Sequence, residues 1–223
     1  MDKNIKIYGS AGIVVFILMV GLSIVGCETV EPGKVGIKVN FWGQNRGVDD
    51  YTISTGRVIY NRITEKVYEF PTFMQNAVWT KFVHEGSPID ESISFNSVEG
   101  EPLNVDIALS YAFKSDRVTH IFVELRQDAE YIKHFYMRSK VRDAISRHAS
   151  KYKAIDIIGQ QREKLLKETL VELTEEIGED FTFDMLAFVG EIRVADRVKE
   201  AIAATIESQQ KSVEAQNKVA QIK

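Results

Sequence analysis

Between Ile7 and Cys27 the chain carries 21 consecutive residues without a charge, and their core reads IVVFILMVGLSIVG. As a helix this run would reach roughly 30 Å, about one hydrocarbon thickness. A core helix of a soluble domain would show a polar face, and this run shows none. It therefore predicts membrane insertion and sets residues 1–27 apart as an anchor or a signal.

Two forms of insertion fit. Ile24-Val25-Gly26-Cys27 resembles a bacterial lipobox, with Lys3 and Lys6 as its positive region, so Cys27 is a candidate lipidation site. The uncharged run exceeds the roughly 7–15 apolar residues of a signal peptide, which favours a retained transmembrane helix. Lys3 and Lys6 face Lys34 and Lys38 across the run, nearly a tie. A short basic tail stays in the cytoplasm, so the expected location is the cell membrane with the main domain extracytoplasmic. The single cysteine excludes an intrachain disulfide and a thiolate zinc cage. With 28 basic against 32 acidic residues and no long basic run, a sequence-independent grip on nucleic acid is not expected.

Residues 35–43, VGIKVNFWG, read as a first strand. Residues 58–83 are aromatic and β-branched, with Pro71 marking a sheet edge or a bend. The clearest strand is 103–113. Leu103, Val105, Ile107, Leu109, Tyr111 and Phe113 alternate with Asn104, Asp106, Ala108, Ser110 and Ala112. SISFNS before it is a partner strand, joined through VEGEP with Gly100 and Pro102 at the turn.

The apolar face needs a cover, and helical periodicity follows. Asp116 is placed to cap a helix with Val118, Ile121, Phe122 and Leu125 on one side. A second helix over 129–150 buries Ile132, Phe135, Val141 and Ile145. A third, over 160–177, presents Leu166, Leu170, Leu173 and Ile177, with Gly178 ending it. FTFDMLAFV at 181–189 returns to strand composition, completing an α+β pattern.

From Ile192 to Lys223 there is neither Gly nor Pro, and one helix of roughly 45 Å is expected. Ile202, Ile206, Gln209, Val213, Gln216 and Ala220 form a stripe with 4-3-4-3-4 spacing, of the coiled-coil kind. The stripe is thin and half polar, which suits packing among many neighbours better than an isolated dimer. The alternative is a solvated terminal helix.

The sequence supplies no catalytic, cofactor-binding or metal-ligating constellation. His84, His120, His134 and His148 lack a zinc-ligand pattern, and the glycines make no phosphate-binding fingerprint. His134 and His148 fall in helices and read as packed or partly exposed. The run Glu172, Glu175, Glu176, Glu179, Asp180 reads as a solvated helix face. Trp42, Trp79 and the tyrosines read as core, interface or membrane-facing, with core the default. An enzyme is not expected.

Several stretches coincide with one family pattern. VEPGKVGIKVNFWG resembles the opening of SPFH domains, the stomatin, prohibitin and flotillin (band 7) superfamily. SISFNSVEGEPLNVDIALSYAF is similar to the family's paired strands. The segment from Asp156 onward looks like the carboxy-terminal half of prohibitins, including a Gln-Arg-Glu unit at Gln161, Arg162 and Glu163. The stretch from Gly43 to Thr80 is only loosely like the family. Prohibitins continue with more coiled coil and a closing segment beyond the point matched by Lys223, so a complete cage roof is not implied.

The resemblance implies a prohibitin-like bacterial or phage member with an SPFH domain over 28–191 and an assembly helix over 192–223. It further implies a scaffold that oligomerises into a ring or cage, organises a membrane patch and regulates a membrane-bound AAA protease. Its partners would be the lipid bilayer and copies of itself or a related SPFH protein. The alternatives are a protease-regulating subunit that works with a related partner and a lipid-anchored extracytoplasmic binding module.

Overall fold

The computed structural model describes residues 24–42, 47–48, 55–82, 84 and 88–221. Most of the expected anchor, residues 1–23, lies outside the described residues. Among the described residues no helix is long and apolar enough to cross a membrane.

The strands are β1 Val25–Val30, β2 Lys34–Asn40, β3 Gly47–Val48, β4 Gly56–Asn61, β5 Glu65–Pro71, β6 Gln75–Trp79, β7 Ile93–Asn96 and β8 Pro102–Phe113. Helices α1 Val118–Leu125 and α2 Ala129–Tyr131 follow, then a π-helical stretch Ile132–Met137 and α3 Arg138–Ala149. After α4 Ala154–Ile158 and α5 Arg162–Ile177 come β9 Phe181–Val194 and α6 Asp196–Gln221. The α+β class is as expected. The chain forms two compact units, one containing the residues up to Gln75 with Ala112–Ile132, the other Asn76–Tyr111 with Lys133–Lys223.

In the first unit β2 pairs antiparallel with β5, from Lys34 opposite Pro71 to Asn40 opposite Glu65. Pro71 is the last residue of its strand, where a missing N–H is tolerated. Period-two alternation gives this sheet two faces. Val35, Ile37, Tyr68 and Phe70 face α1, whose Phe122 lies 4.6 Å from the Tyr68 ring and 6.2 Å from Phe70. Phe113 meets Phe70 edge-on at 5.5 Å.

Val67, on the other face, joins Val30 and Val58 in a small core under a separate ribbon of β1 and β4. Gly26 lies under the Tyr60 ring in that ribbon, where an added Cβ would come within 2.7 Å of it. The ribbon begins ten residues earlier than the first strand expected at Val35, because Val25–Val30 merges into the uncharged run at sequence level.

In the second unit β8 is flanked by β6, β7 and β9. β7 pairs with it from Ile93 opposite Val105 to Asn96 opposite Pro102, and the turn between them uses Gly100 at φ 76°. Leu103, Val105, Ile107, Leu109 and Tyr111 are all buried. Each contributes about 1.5–3 kcal/mol by leaving water. α3 packs on β7 and on α5, and α5 packs on β9. Arg162 ties α5 to β9 by donating to the Phe188 carbonyl at 2.8 Å, with its guanidinium 5.4 Å from the Phe188 ring.

Four helical expectations need correction. The N-cap of α1 is Arg117, not Asp116, because a turn from Lys114 to Arg117 delays the helix start. Phe135 is 57% exposed and Met137 fully buried, since the π-helical stretch breaks the 3.6-residue phase. The buried stripe of α5 is Leu165, Thr169, Leu173 and Ile177, with Leu166 and Leu170 only on its flank. Thr169 is buried at no cost in unpaired polarity, because its hydroxyl donates to the Leu165 carbonyl at 2.7 Å. Gly178 does end this helix. Finally, Ile192–Val194 belong to β9, and α6 starts at Asp196, leaving one helix of roughly 39 Å.

Candidate functional site

Two surfaces, one in each unit, expose apolar side chains that bear on function. The first is one end of the first unit. The Arg62 N–H donates to the Ile24 carbonyl at 2.9 Å, and the Phe41 N–H donates to the Thr64 carbonyl at 2.8 Å. These bonds bring together the start of β1, the end of β2 and the β4–β5 turn.

At that end Val25, Phe41, Ile59 and Ile63 are more than half exposed, and Trp42 is 72% exposed. Cys27 is exposed too. Its Cα partner across the ribbon is Ile59, so both side chains lie on the face turned away from Val30 and Val58. Arg62 supplies an exposed cation beside the apolar group. Trp42 thus departs from the core default, whereas Trp79 is fully buried. The available signal was position: Phe41-Trp42 follows the alternating part of β2 and precedes a polar turn, so neither residue belongs to its apolar period. Phe73 and Met74 are also exposed, beyond the opposite end of β5.

The second surface is α6. Val198 is buried at its base, Ile202 is half-buried, and Ile206 and Val213 are 44% and 54% exposed. The side chains of Gln209, Gln216 and Ala220 lie outside the described residues. The described part of the stripe therefore passes from a buried root to apolar residues facing solvent.

That root is held by charge. Asp106 is buried on the polar face of β8 and accepts two hydrogen bonds from the Arg193 guanidinium, both at 2.7 Å. It also accepts the Lys81 N–H at 2.9 Å. Arg193 donates a further bond to Asn104 Oδ1 at 2.6 Å, and Asn104 donates to the Ser92 and Ser94 hydroxyls. One turn on, Arg197 pairs with Glu101 at 3.0 Å.

Burial pushes the Asp106 carboxyl up, but the Arg193 hydrogen bonds, the Lys81 amide and the guanidinium charge outweigh it and hold the group below the usual carboxylate range. Arg193 is raised by the same partner. Asn104 and Asp106 look like ordinary solvent-side residues in the sequence, and nothing local points to a partner 87 residues away.

In the acidic run that ends α5, Glu175, Glu176 and Glu179 are exposed, as a solvated face requires, and Glu172 and Asp180 are half-buried. Glu176 takes Lys140 at 2.5 Å, Glu172 takes Arg147, and the His148 ring lies between Glu172 at 2.6 Å and Glu168 at 3.4 Å. Lys140 holds the Glu176 carboxyl below its ordinary value. This ionic seam ties α5 to α3. His134 is placed by the π-helical stretch 2.8 Å from the buried Glu91 carboxylate. Each of these groups is occupied in holding elements together.

The SPFH domain / Band 7 family model matches residues 28–223. The chain belongs to the SPFH/Band 7 family. No curated protein matches it. SPFH proteins are membrane-associated scaffolds that are in general non-enzymatic, and the match covers both surfaces described above from Glu28 onward.

The Asp106–Arg193 pair gives a prediction. Because the folded pKa of Asp106 lies below its unfolded value of about 3.8, its contribution is complete above that value and is lost as pH falls through the folded pKa. Arg193→Met leaves the carboxylate buried without its partner and should cost about 3–5 kcal/mol at pH 7. Chemical denaturation should show this gap narrowing below about pH 4. A gap that is constant from pH 7 to pH 3 would show that the pair does not carry the loss.

Proposed function

We propose that this SPFH protein is a membrane-anchored scaffold whose copies assemble side by side through α6 into a ring or cage. Each copy is anchored by its amino-terminal segment, and the main domain is extracytoplasmic. The observation that carries this reading is the passage of the α6 stripe from a buried root to exposed Ile206 and Val213. An apolar stripe of this kind offers about 1.5–3 kcal/mol for each side chain a neighbour buries. That is too little for a dimer and enough for a ring, where every subunit has two neighbours and the anchors hold the copies at high local concentration.

In this reading the assembly encloses a membrane patch and controls the access of a membrane-bound AAA protease. The neighbour is a second copy or a related SPFH protein. No catalytic role is proposed.

The apolar end of the first unit supports the membrane side. The uncharged run leads into β1 at that end, so Phe41, Trp42 and Ile63 would meet the headgroup region, with Arg62 among the phosphates. With β1 taking Val25–Cys27, residues 7–24 would span roughly 27 Å as a helix, still within transmembrane range.

Three outcomes are expected. In mild detergent the full chain should elute as a large oligomer, and Ile206→Lys with Val213→Lys should reduce it to small species; a wild-type monomer at all concentrations would overturn the assembly. Crosslinking through Ile206→Cys in a Cys27→Ser background then separates self-assembly from a related partner.

In vesicles, brominated lipids should quench Trp42 and spare buried Trp79, so Trp42→Phe should abolish quenching. Bromines near the headgroups should act more strongly than those near the bilayer centre. Quenching that survives Trp42→Phe would remove this end from the membrane. The retained helix predicts that Cys27→Ser stays membrane-bound with an intact mass including residues 1–26. Release into the soluble fraction would instead establish lipidation at Cys27.

A further inference from the structure

Among the described residues β7 pairs only with β8, and its other edge opens onto a groove of about 490 Å³ against α3. The register fixes which backbone groups look into it. Ser97 donates its N–H to the Glu101 carbonyl at 3.0 Å, so Ser97–Glu101 is a hydrogen-bonded pair of the β7–β8 ladder. Alternation makes Phe95–Leu103 and Ile93–Val105 hydrogen-bonded pairs as well, and Ser94–Asn104 and Asn96–Pro102 non-bonded ones.

Two facts agree with this assignment. Pro102 has no N–H to give to Asn96, and the carbonyl of Ser92, next in the same series, is taken from outside by Arg138 at 3.1 Å. The N–H and C=O of Ser94 and Asn96 therefore point away from β8.

Across the groove, α3 presents Arg142, Ser146 and Ser150. One turn earlier Arg138 closes the edge by bonding the Glu91 and Ser92 carbonyls, and Arg142 makes no such bond. Among the described residues its guanidinium meets only Ser139 at 3.5 Å and Asp143 at 3.7 Å, and the side chain is half exposed. The Ser146 and Ser150 hydroxyls donate back to helix carbonyls and line the groove. A short strand edge, an open helix beside it and a cation at mid-groove are a receptor for main chain of matching charge.

We propose that this groove binds an extended peptide segment of a partner protein by strand addition to β7, with an acidic side chain of that segment on Arg142. The main chain of the guest bonds Ser94 and Asn96, and Arg142 selects a carboxylate near the centre of the segment. This surface lies in the second unit and is separate from the α6 stripe.

The test uses the full chain in detergent and a fluorescein-labelled probe, acetyl-Thr-Val-Thr-Glu-Thr-Val-Thr-amide, read by anisotropy. Saturable binding is expected, about tenfold weaker when lysine replaces the glutamate and absent when the probe is fully N-methylated. Arg142→Gln should erase the preference for glutamate. Asn96→Pro removes an outward N–H and should weaken binding about tenfold while leaving the ladder to β8 intact. Amide exchange at Ser94 and Asn96 should be fast in the free protein and slow with the probe.

No binding of the glutamate probe at millimolar concentration would overturn the proposal, as would equal binding of the N-methylated probe. Protection of both amides before any probe is added would also overturn it, by showing that a second copy of the chain covers the groove. Should Asn96→Pro fail to fold, the N-methylated probe and Arg142→Gln decide alone.

Discussion

The Asp106 carboxylate is the constraint on which the second unit depends. A carboxylate in the middle of a central strand cannot stay charged without partners, because the loss of hydration costs several kcal/mol. Here it has three hydrogen bonds, two from a planar guanidinium and one from a backbone amide, and that geometry offsets the loss. An apolar pair of the same volume could match the stability. It could not supply direction. The fork of Arg193 admits one orientation of β9 over β8, and α6 departs two residues after β9 ends. The direction in which α6 leaves thus rests on a buried pair, with Arg197–Glu101 and Val198 as secondary supports.

How much of this could be read in advance depended on the range of the interaction. The two-residue period of β8 declared its buried face correctly at Leu103, Val105, Ile107, Leu109, Tyr111 and Phe113, because a strand face is a local property. The β7 partner followed from turn chemistry at Gly100. Phe135 was misread because a π-helical stretch alters the phase without leaving a residue signature. On α5, two adjacent rows were both apolar enough to qualify. Tertiary packing chose the row with Thr169, whose hydroxyl could be satisfied within its own helix. β1 was concealed for another reason: an uncharged strand next to an uncharged run has no boundary in composition. The Asp106–Arg193 pair was the least legible, since each half looks like a surface residue until the other is found.

The two candidate surfaces obey one logic. A chain that keeps Trp42, Ile63, Ile206 and Val213 in water carries a cost in apolar exposure unless something else covers them. The family places SPFH domains at membranes, which offers the cover for the first unit. For α6 the proposed cover is another α6. Charges on the same helix, such as the Glu207–Lys211 pair at 2.7 Å, keep the rest of its surface polar and limit how neighbours approach. In the proposed ring, weak and directional contacts of this sort would let copies assemble in the plane of a bilayer and remain dissociable.

The free edge of β7 raises a separate question of specificity. Exposed strand edges invite unwanted pairing, and proteins commonly guard them with charge or cover. Just before this edge Arg138 of α3 takes the Glu91 and Ser92 carbonyls, and beside the edge Arg142, which among the described residues bonds no strand carbonyl, stands as its guard. A guard that repels cationic strands also admits anionic ones, so one residue serves exclusion and selection together. The helix that carries this guard is tied to α5 by the Lys140, Arg147 and His148 ion pairs. Strand addition needs such a firm mounting, because main-chain hydrogen bonds tolerate little error in distance.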